Sequence, residues 1–163
     1  MKKLLLLIVL CGCAVVSSAC GSSDSSSGSK ISAENSSQQK EVTEMSDNKL
    51  KISVNGTELT ATLENNSSAQ ALTELLKQGD ITIDMSDYGN FEKVGDLPQS
   101  LPTNDESITT AAGDIILYQG GKITIYYAEN TWDFTKLGHI DNITQQELKA
   151  ILGDGDVTVT FSN

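Results

Sequence analysis

Two runs of alternating apolar residues joined by Asn55-Gly56 constrain this chain more than any other feature. Leu50, Ile52 and Val54 alternate with polar neighbours, and Leu59, Ala61 and Leu63 do so again beyond the turn. A period of two belongs to a strand with one buried face, and Asn-Gly supplies the left-handed residues of a tight hairpin. A two-residue turn here pairs Ile52 with Leu59 and Leu50 with Ala61. Both pairs then face one side, so turn and pattern agree on one register.

The rest of the chain continues in short units. Ser67-Ser68-Ala69-Gln70 reads as a capping box before Leu72, Leu75 and Leu76 at helical spacing, with Gly79 as the stop. Ile81, Ile83 and Met85 alternate as a strand, and Phe91 to Gly95 reads as a short one before the loop Leu97 to Pro102. Asp114 to Gln119 and Lys122 to Tyr127 flank Gly120-Gly121 as a second hairpin, and Thr131 to His139 predicts a further strand. Thr144-Gln145-Gln146-Glu147 is a capping box opening a helix through Leu152, stopped by Gly153; Val157, Val159 and Phe161 close the chain as a strand. Many short strands with two brief helices imply a mainly β fold, a closed or nearly closed barrel with helical plugs. The helices are too few for a parallel α/β sheet.

The first 47 residues obey different rules. Met1-Lys2-Lys3, an uncharged stretch from Leu4 and small residues up to Cys20 describe a secretory leader over residues 1–19. The apolar stretch is too short for a comfortable membrane span. All three cysteines, Cys11, Cys13 and Cys20, lie in this segment, which speaks for a lipobox rather than a disulfide or metal set. Cys20 is the favoured acylation site; Cys13, with Leu10 and Gly12 before it, is the alternative but leaves a very short leader. More than one acyl chain is needed for stable anchoring, and a diacyl or triacyl cysteine meets that need. Residues 20–47 are then a lipidated cysteine and a Ser-rich tether, too polar to offset chain entropy by burial. Residues 48–163 form one domain of ordinary size.

That domain holds 7 lysines, no arginine and 17 acidic residues, a net charge of about −10. Such a surface argues against nucleic acid and against direct adhesion to anionic lipid. The expected location is the extracytoplasmic face of the cell membrane, held by the lipid anchor.

Several segments resemble the bacterial cyclophilin-like domains in order and spacing. They are Val54-Asn55-Gly56, the helix after Asn66-Ser67-Ser68, Asp84-Met85-Ser86 and Asn90-Phe91-Glu92-Lys93. The prolines of Leu97-Pro98 and Leu101-Pro102, Ala112-Gly113-Asp114-Ile115, Tyr126-Tyr127 and Leu137-Gly138-His139-Ile140 follow in the same order. The resemblance covers nearly all of Asn48 to Asn163. It implies a cyclophilin-like closed β-barrel of about eight strands with two short helices. Relatives also stand beside flavodoxin-like domains or occur as lipoproteins.

True cyclophilins isomerise X-Pro bonds in an apolar, aromatic cleft, with one arginine polarising the twisting amide. This chain has no arginine, and lysine lacks the planar fork that bridges two atoms. The balance is therefore against an enzyme, and no catalytic residue or cofactor is expected. The resemblance implies no assigned biochemical role, and the expected function is a membrane-anchored extracytoplasmic lipoprotein whose cyclophilin-like domain is a non-catalytic ligand- or peptide-binding module. The alternatives are an extracytoplasmic prolyl isomerase using a lysine or a backbone donor, and an accessory to a flavin redox system. Candidate cleft residues are Asn90, Glu92 and Lys93, which the family pattern holds between two strands. Trp132, with Tyr126 and Tyr127, offers an aromatic floor, although barrel packing is the plainer reading. His139, the only histidine, has Asp141 nearby to orient it, and a structural role is simpler than a chemical one. No metal site is expected: no cysteine follows Cys20, and Asp154 and Asp156 fall short of a calcium loop.

Overall fold

Asn55 and Gly56 take φ of 49° and 76°, the pair of left-handed residues a type I′ turn requires. They join β1 (Lys49–Val54) to β2 (Thr57–Leu63), with Ile52 opposite Leu59 and Leu50 opposite Ala61. The alternation predicts this register. The computed structural model describes residues 48–163; the leader, Cys13, Cys20 and the tether lie outside the described residues.

After β2 come α1 (Ser67–Leu76), β3 (Ile81–Tyr88), β4 (Glu92–Asp96), β5 (Glu106–Thr109), β6 (Asp114–Tyr118) and β7 (Lys122–Tyr126). The chain ends with β8 (Thr131–Ile140), α2 (Gln145–Leu152) and β9 (Val157–Ser162). Neighbours run β2-β1-β9-β3-β4-β7-β6-β8, and β8 returns to β2 through Ala61 opposite Ile140 and Leu63 opposite Gly138. Every pairing is antiparallel, so eight strands close a barrel without a free edge. Closure depends on Gly138. A Cβ there would meet the Thr62 carbonyl oxygen at 2.6 Å and the Leu63 Cα at 3.1 Å.

The inner faces of the strands, including Leu50, Ile52, Met85, Ile115, Leu117, Ile123, Ile125, Val159 and Phe161, make one buried core. Helices α1 and α2 add Leu72, Leu75, Leu148 and Leu152 to it. The Thr144–Glu147 capping box forms as predicted. The start of α1 differs by one residue: Asn66 is the N-cap, accepting from the Ala69 amide at 2.9 Å. Ser68 is buried and instead donates to the Pro102 carbonyl at 2.5 Å. The second hairpin turns on Gln119 and Gly120, both at positive φ, one residue earlier than the paired glycines suggest.

Strand β5 has no counterpart in the sequence reading. It lies outside the closed barrel, pairing with Thr131 to Phe134 of β8. Its one apolar residue, Ile108, leaves no alternation to detect. Backbone pairing and a Thr109–Thr131 hydroxyl bond of 2.8 Å hold it.

Candidate functional site

Strands around a barrel have two faces, and here the outer one is not uniformly polar. With Lys93, Ile125, Ile115 and Leu117 directed inward, the alternate positions Glu92, Tyr126, Ile116 and Tyr118 face outward. Ile116, Tyr126 and Phe134 form a second buried cluster, separate from the barrel core, with Phe91, Ile108 and Tyr118 packed on it. Strand β5 is what covers its far side, through Ile108 opposite Trp132 and Glu106 opposite Phe134.

The rings are in contact from end to end. Tyr88 meets Phe91 edge-on at 5.9 Å, and Phe91 stacks on Tyr126 at 6.0 Å with 15° between planes. Tyr126 packs on Phe134 at 5.6 Å, and Phe134 meets Tyr118 at 6.5 Å. Against this chain of rings opens a cavity of about 480 Å³, lined by Tyr88, Phe91, Glu92, Val94, Tyr118, Lys122, Tyr126, Asn130 and Trp132. Glu92 and Tyr126 are its deep members; Tyr88 and Trp132, 62% and 63% exposed, stand at its rim.

Register puts Glu92 directly opposite Tyr126. Burial pushes the Glu92 carboxyl above the usual carboxylate range, and a hydrogen bond with Tyr126 offsets part of that rise. The Tyr126 hydroxyl is pushed up by burial and by the same carboxylate. Asn130 donates from Nδ2 to the Tyr126 hydroxyl at 3.5 Å. Its backbone is fixed by Thr110, whose amide donates to the Asn130 carbonyl at 2.8 Å. Lys122 lines the same cavity but forms an ion pair with Asp96 across the β4–β7 ladder.

Of the residues singled out in the sequence, Glu92, Tyr126 and Trp132 converge on this cavity. Asn90 and His139 do not line it. Asn90 is exposed in the β3–β4 turn, at φ 59° beside Gly89 at 60°. His139 is half-buried near the far end of β8, about 20 Å along the strand from Trp132 by strand rise. Its Nδ1 lies 2.7 Å from Asp114, and the same oxygen accepts from Lys136 at 2.8 Å. Burial raises the Asp114 carboxyl, but bonds from Lys136, the Ala111 amide and His139 outweigh it and hold the group below the usual range.

Lys93 is fully buried on the inner face. Its Nζ donates to Asp87 at 2.6 Å and to the carbonyls of Gly153 and Gly155 at 2.9 and 2.6 Å. Tyr127 donates to the same Asp87 oxygen at 2.9 Å. Adjacent Tyr126 and Tyr127 thus serve different faces, one the cavity and one the barrel interior. Tyr88, Phe91, Tyr118 and Asn130 escaped the sequence reading because the β4–β7 and β5–β8 pairings that gather them are not local. The signal available was aromatic residues flanking two tight turns, Tyr88 and Phe91 around Gly89-Asn90 and Tyr118 before Gln119-Gly120. Among the described residues, no three His, Cys, Asp or Glu side chains gather where they could hold a metal ion.

The sequence matches the cyclophilin-like family over residues 52–162. Several solved structures resemble the fold, among them an archaeal protein and McbB. The hypothetical protein AF2241 from Archaeoglobus fulgidus superposes with a TM-score of 0.53 at 14% identity, over 70% of this chain and 92% of that one. McbB, solved in complex with tryptophan, gives a TM-score of 0.50 at 15% identity, over 70% of this chain and 44% of McbB. No curated protein sequence matches.

Proposed function

The chain belongs to the cyclophilin-like family, and from that premise we propose that it is a membrane-anchored lipoprotein whose barrel presents a non-catalytic ligand-binding cleft. One observation carries the reading: a cavity of about 480 Å³ on the outer face, walled by contacting aromatic rings and rimmed by exposed Tyr88 and Trp132. Exposed large aromatics around a concavity are expensive to keep unless something covers them, and the volume is in the range of small-molecule sites. The few polar groups converging there, Glu92, Asn130 and Lys122, are the kind that orient a ligand between apolar walls.

Trp132 is the only tryptophan in the chain, so its fluorescence reports directly on occupancy of the cleft. A library of small molecules and short peptides titrated against the full-length protein is expected to yield saturable quenching together with thermal stabilisation. Quenching that survives Tyr126→Ala unchanged, or no hit across the library, argues the reading down.

The prolyl isomerase reading has one observation in its favour: Lys122 and Asn130 place N–H donors beside the aromatic walls. A protease-coupled proline-peptide assay separates the two. Turnover above the uncatalysed rate, lost in Lys122→Met, makes the cleft catalytic.

A further inference from the structure

Carboxylates packed into the barrel wall have cations, with one exception. Asp87 takes Lys93, Asp114 takes Lys136 and His139, and Asp141 takes Lys49. Glu92 is only 8% exposed and forms no ion pair among the described residues. A buried carboxylate without a counter-charge is costly, and such groups are normally paired. Glu92 lines the cavity.

The walls agree with the missing charge. The faces of aromatic rings carry negative quadrupole density that attracts a cation and repels an anion. Phe91, Tyr126 and Trp132 supply such rings around Glu92. The one lysine on the lining, Lys122, lies four residues from Tyr126 along β7, about 13 Å by strand rise, and its charge is taken by Asp96. The domain as a whole is strongly acidic, so its field draws cations toward the surface.

We infer that the ligand of this cleft is a small organic ammonium ion: a positive nitrogen carrying apolar groups, held between the Glu92 carboxylate and the aromatic rings. The inference rests on the cleft-binding reading above and adds the chemical class. The apolar substituents occupy the aromatic walls, and the charged centre supplies the counter-ion that the fold leaves out. A bare metal cation fits less well, because one carboxylate and a phenol are too few oxygen ligands.

The test titrates the full-length protein with tetramethylammonium, choline and benzyltrimethylammonium, following Trp132 fluorescence and thermal stability. An uncharged isostere of choline, 3,3-dimethylbutan-1-ol, is run beside them. Saturable binding of at least one ammonium is expected, with the isostere about tenfold weaker or worse and Glu92→Gln losing the difference. Equal binding of choline and its isostere overturns the ammonium assignment and leaves the cleft reading standing. So does a library hit on an uncharged molecule when all three ammonium ions fail. If nothing binds, both fall. Should Glu92→Gln fail to fold, the comparison of choline with its isostere on the parent protein decides the matter.

Discussion

Two carboxylates at neighbouring strand positions have opposite fates, and the difference is one of facing. Asp87 is held below the usual range, chiefly by the Lys93 hydrogen bond, while Glu92 is raised by burial. Lys93 is fully buried with all three protons spoken for, so its charge depends on Asp87. Asp87→Asn therefore leaves a buried ammonium without its counter-ion. It is expected to cost about 3 kcal/mol in urea unfolding, the low end for breaking a buried pair because Asp87 keeps some solvent contact. Lys93→Met, which removes the charge instead of stranding it, is expected to cost less; the reverse order would show the pair is not what holds the α2–β9 loop. The pH dependence follows from the directions. Asp87, Asp114 and Asp141 are lowered, so their contribution is present above the ordinary aspartate value of 3.8 and is lost as pH falls through their folded values. Glu92 is raised, so its contribution is present below the unfolded value and lost as pH rises through the folded one. Glu92→Gln should then melt no lower than the parent at pH 7, and a clearly lower melting point would mean that the ionised carboxylate is stabilising.

Strands and turns were the most legible level, and their limits are physical. The Asn55–Gly56 hairpin could be read with its register because its pattern and turn chemistry are local. The Thr144–Glu147 box was legible for the same reason. The α1 N-cap is Asn66 and not Ser67, whose hydroxyl accepts from the Asn104 side chain at 2.8 Å, a contact 37 residues away. Strand β5 was invisible because Glu106–Thr109 lacks alternation and exists only through its pairing with β8. The site shows the same limit: the sequence groups Trp132 with Tyr126 and Tyr127 and sets Glu92 with Asn90 and Lys93, because the register that puts Glu92 opposite Tyr126 is not local. Barrel closure also hangs on a contact between distant segments. Gly138→Ala drives a methyl into the Thr62 carbonyl oxygen at 2.6 Å and is expected to destabilise by about 1–3 kcal/mol, the range for overpacking. Hydrogen exchange should rise first at the β2–β8 seam. Gly121→Ala, with its nearest atom at 3.9 Å, is the control and should change little; equal effects would mean that general glycine loss, and not the seam, is responsible.

At the scale of the molecule, the acidic domain, the aromatic cavity on its outer wall and the three cysteines among the first twenty residues bear on one another. Closure removes the edges of the eight barrel strands, and among the described residues the aromatic cluster on the outer face lies apart from the barrel core. Net charge of about −10 on the domain works against adhesion to anionic lipid, so the proposed membrane residence would rest on covalent lipid. The proposed anchor is Cys20, and the Ser-rich stretch after it is proposed as a flexible tether with a reach of several nanometres. The prediction is direct. Cells expressing the parent chain and fed a labelled fatty acid should show label on this protein in the membrane fraction. Cys20→Ser should lose the label and leave the membrane fraction, whereas Cys13→Ser should keep both. Loss of label with Cys13→Ser alone moves the anchor to the earlier cysteine and shortens the leader. Unlabelled protein in the soluble fraction with both cysteines intact removes the anchor altogether, and the acidic domain would then have nothing to hold it at a membrane.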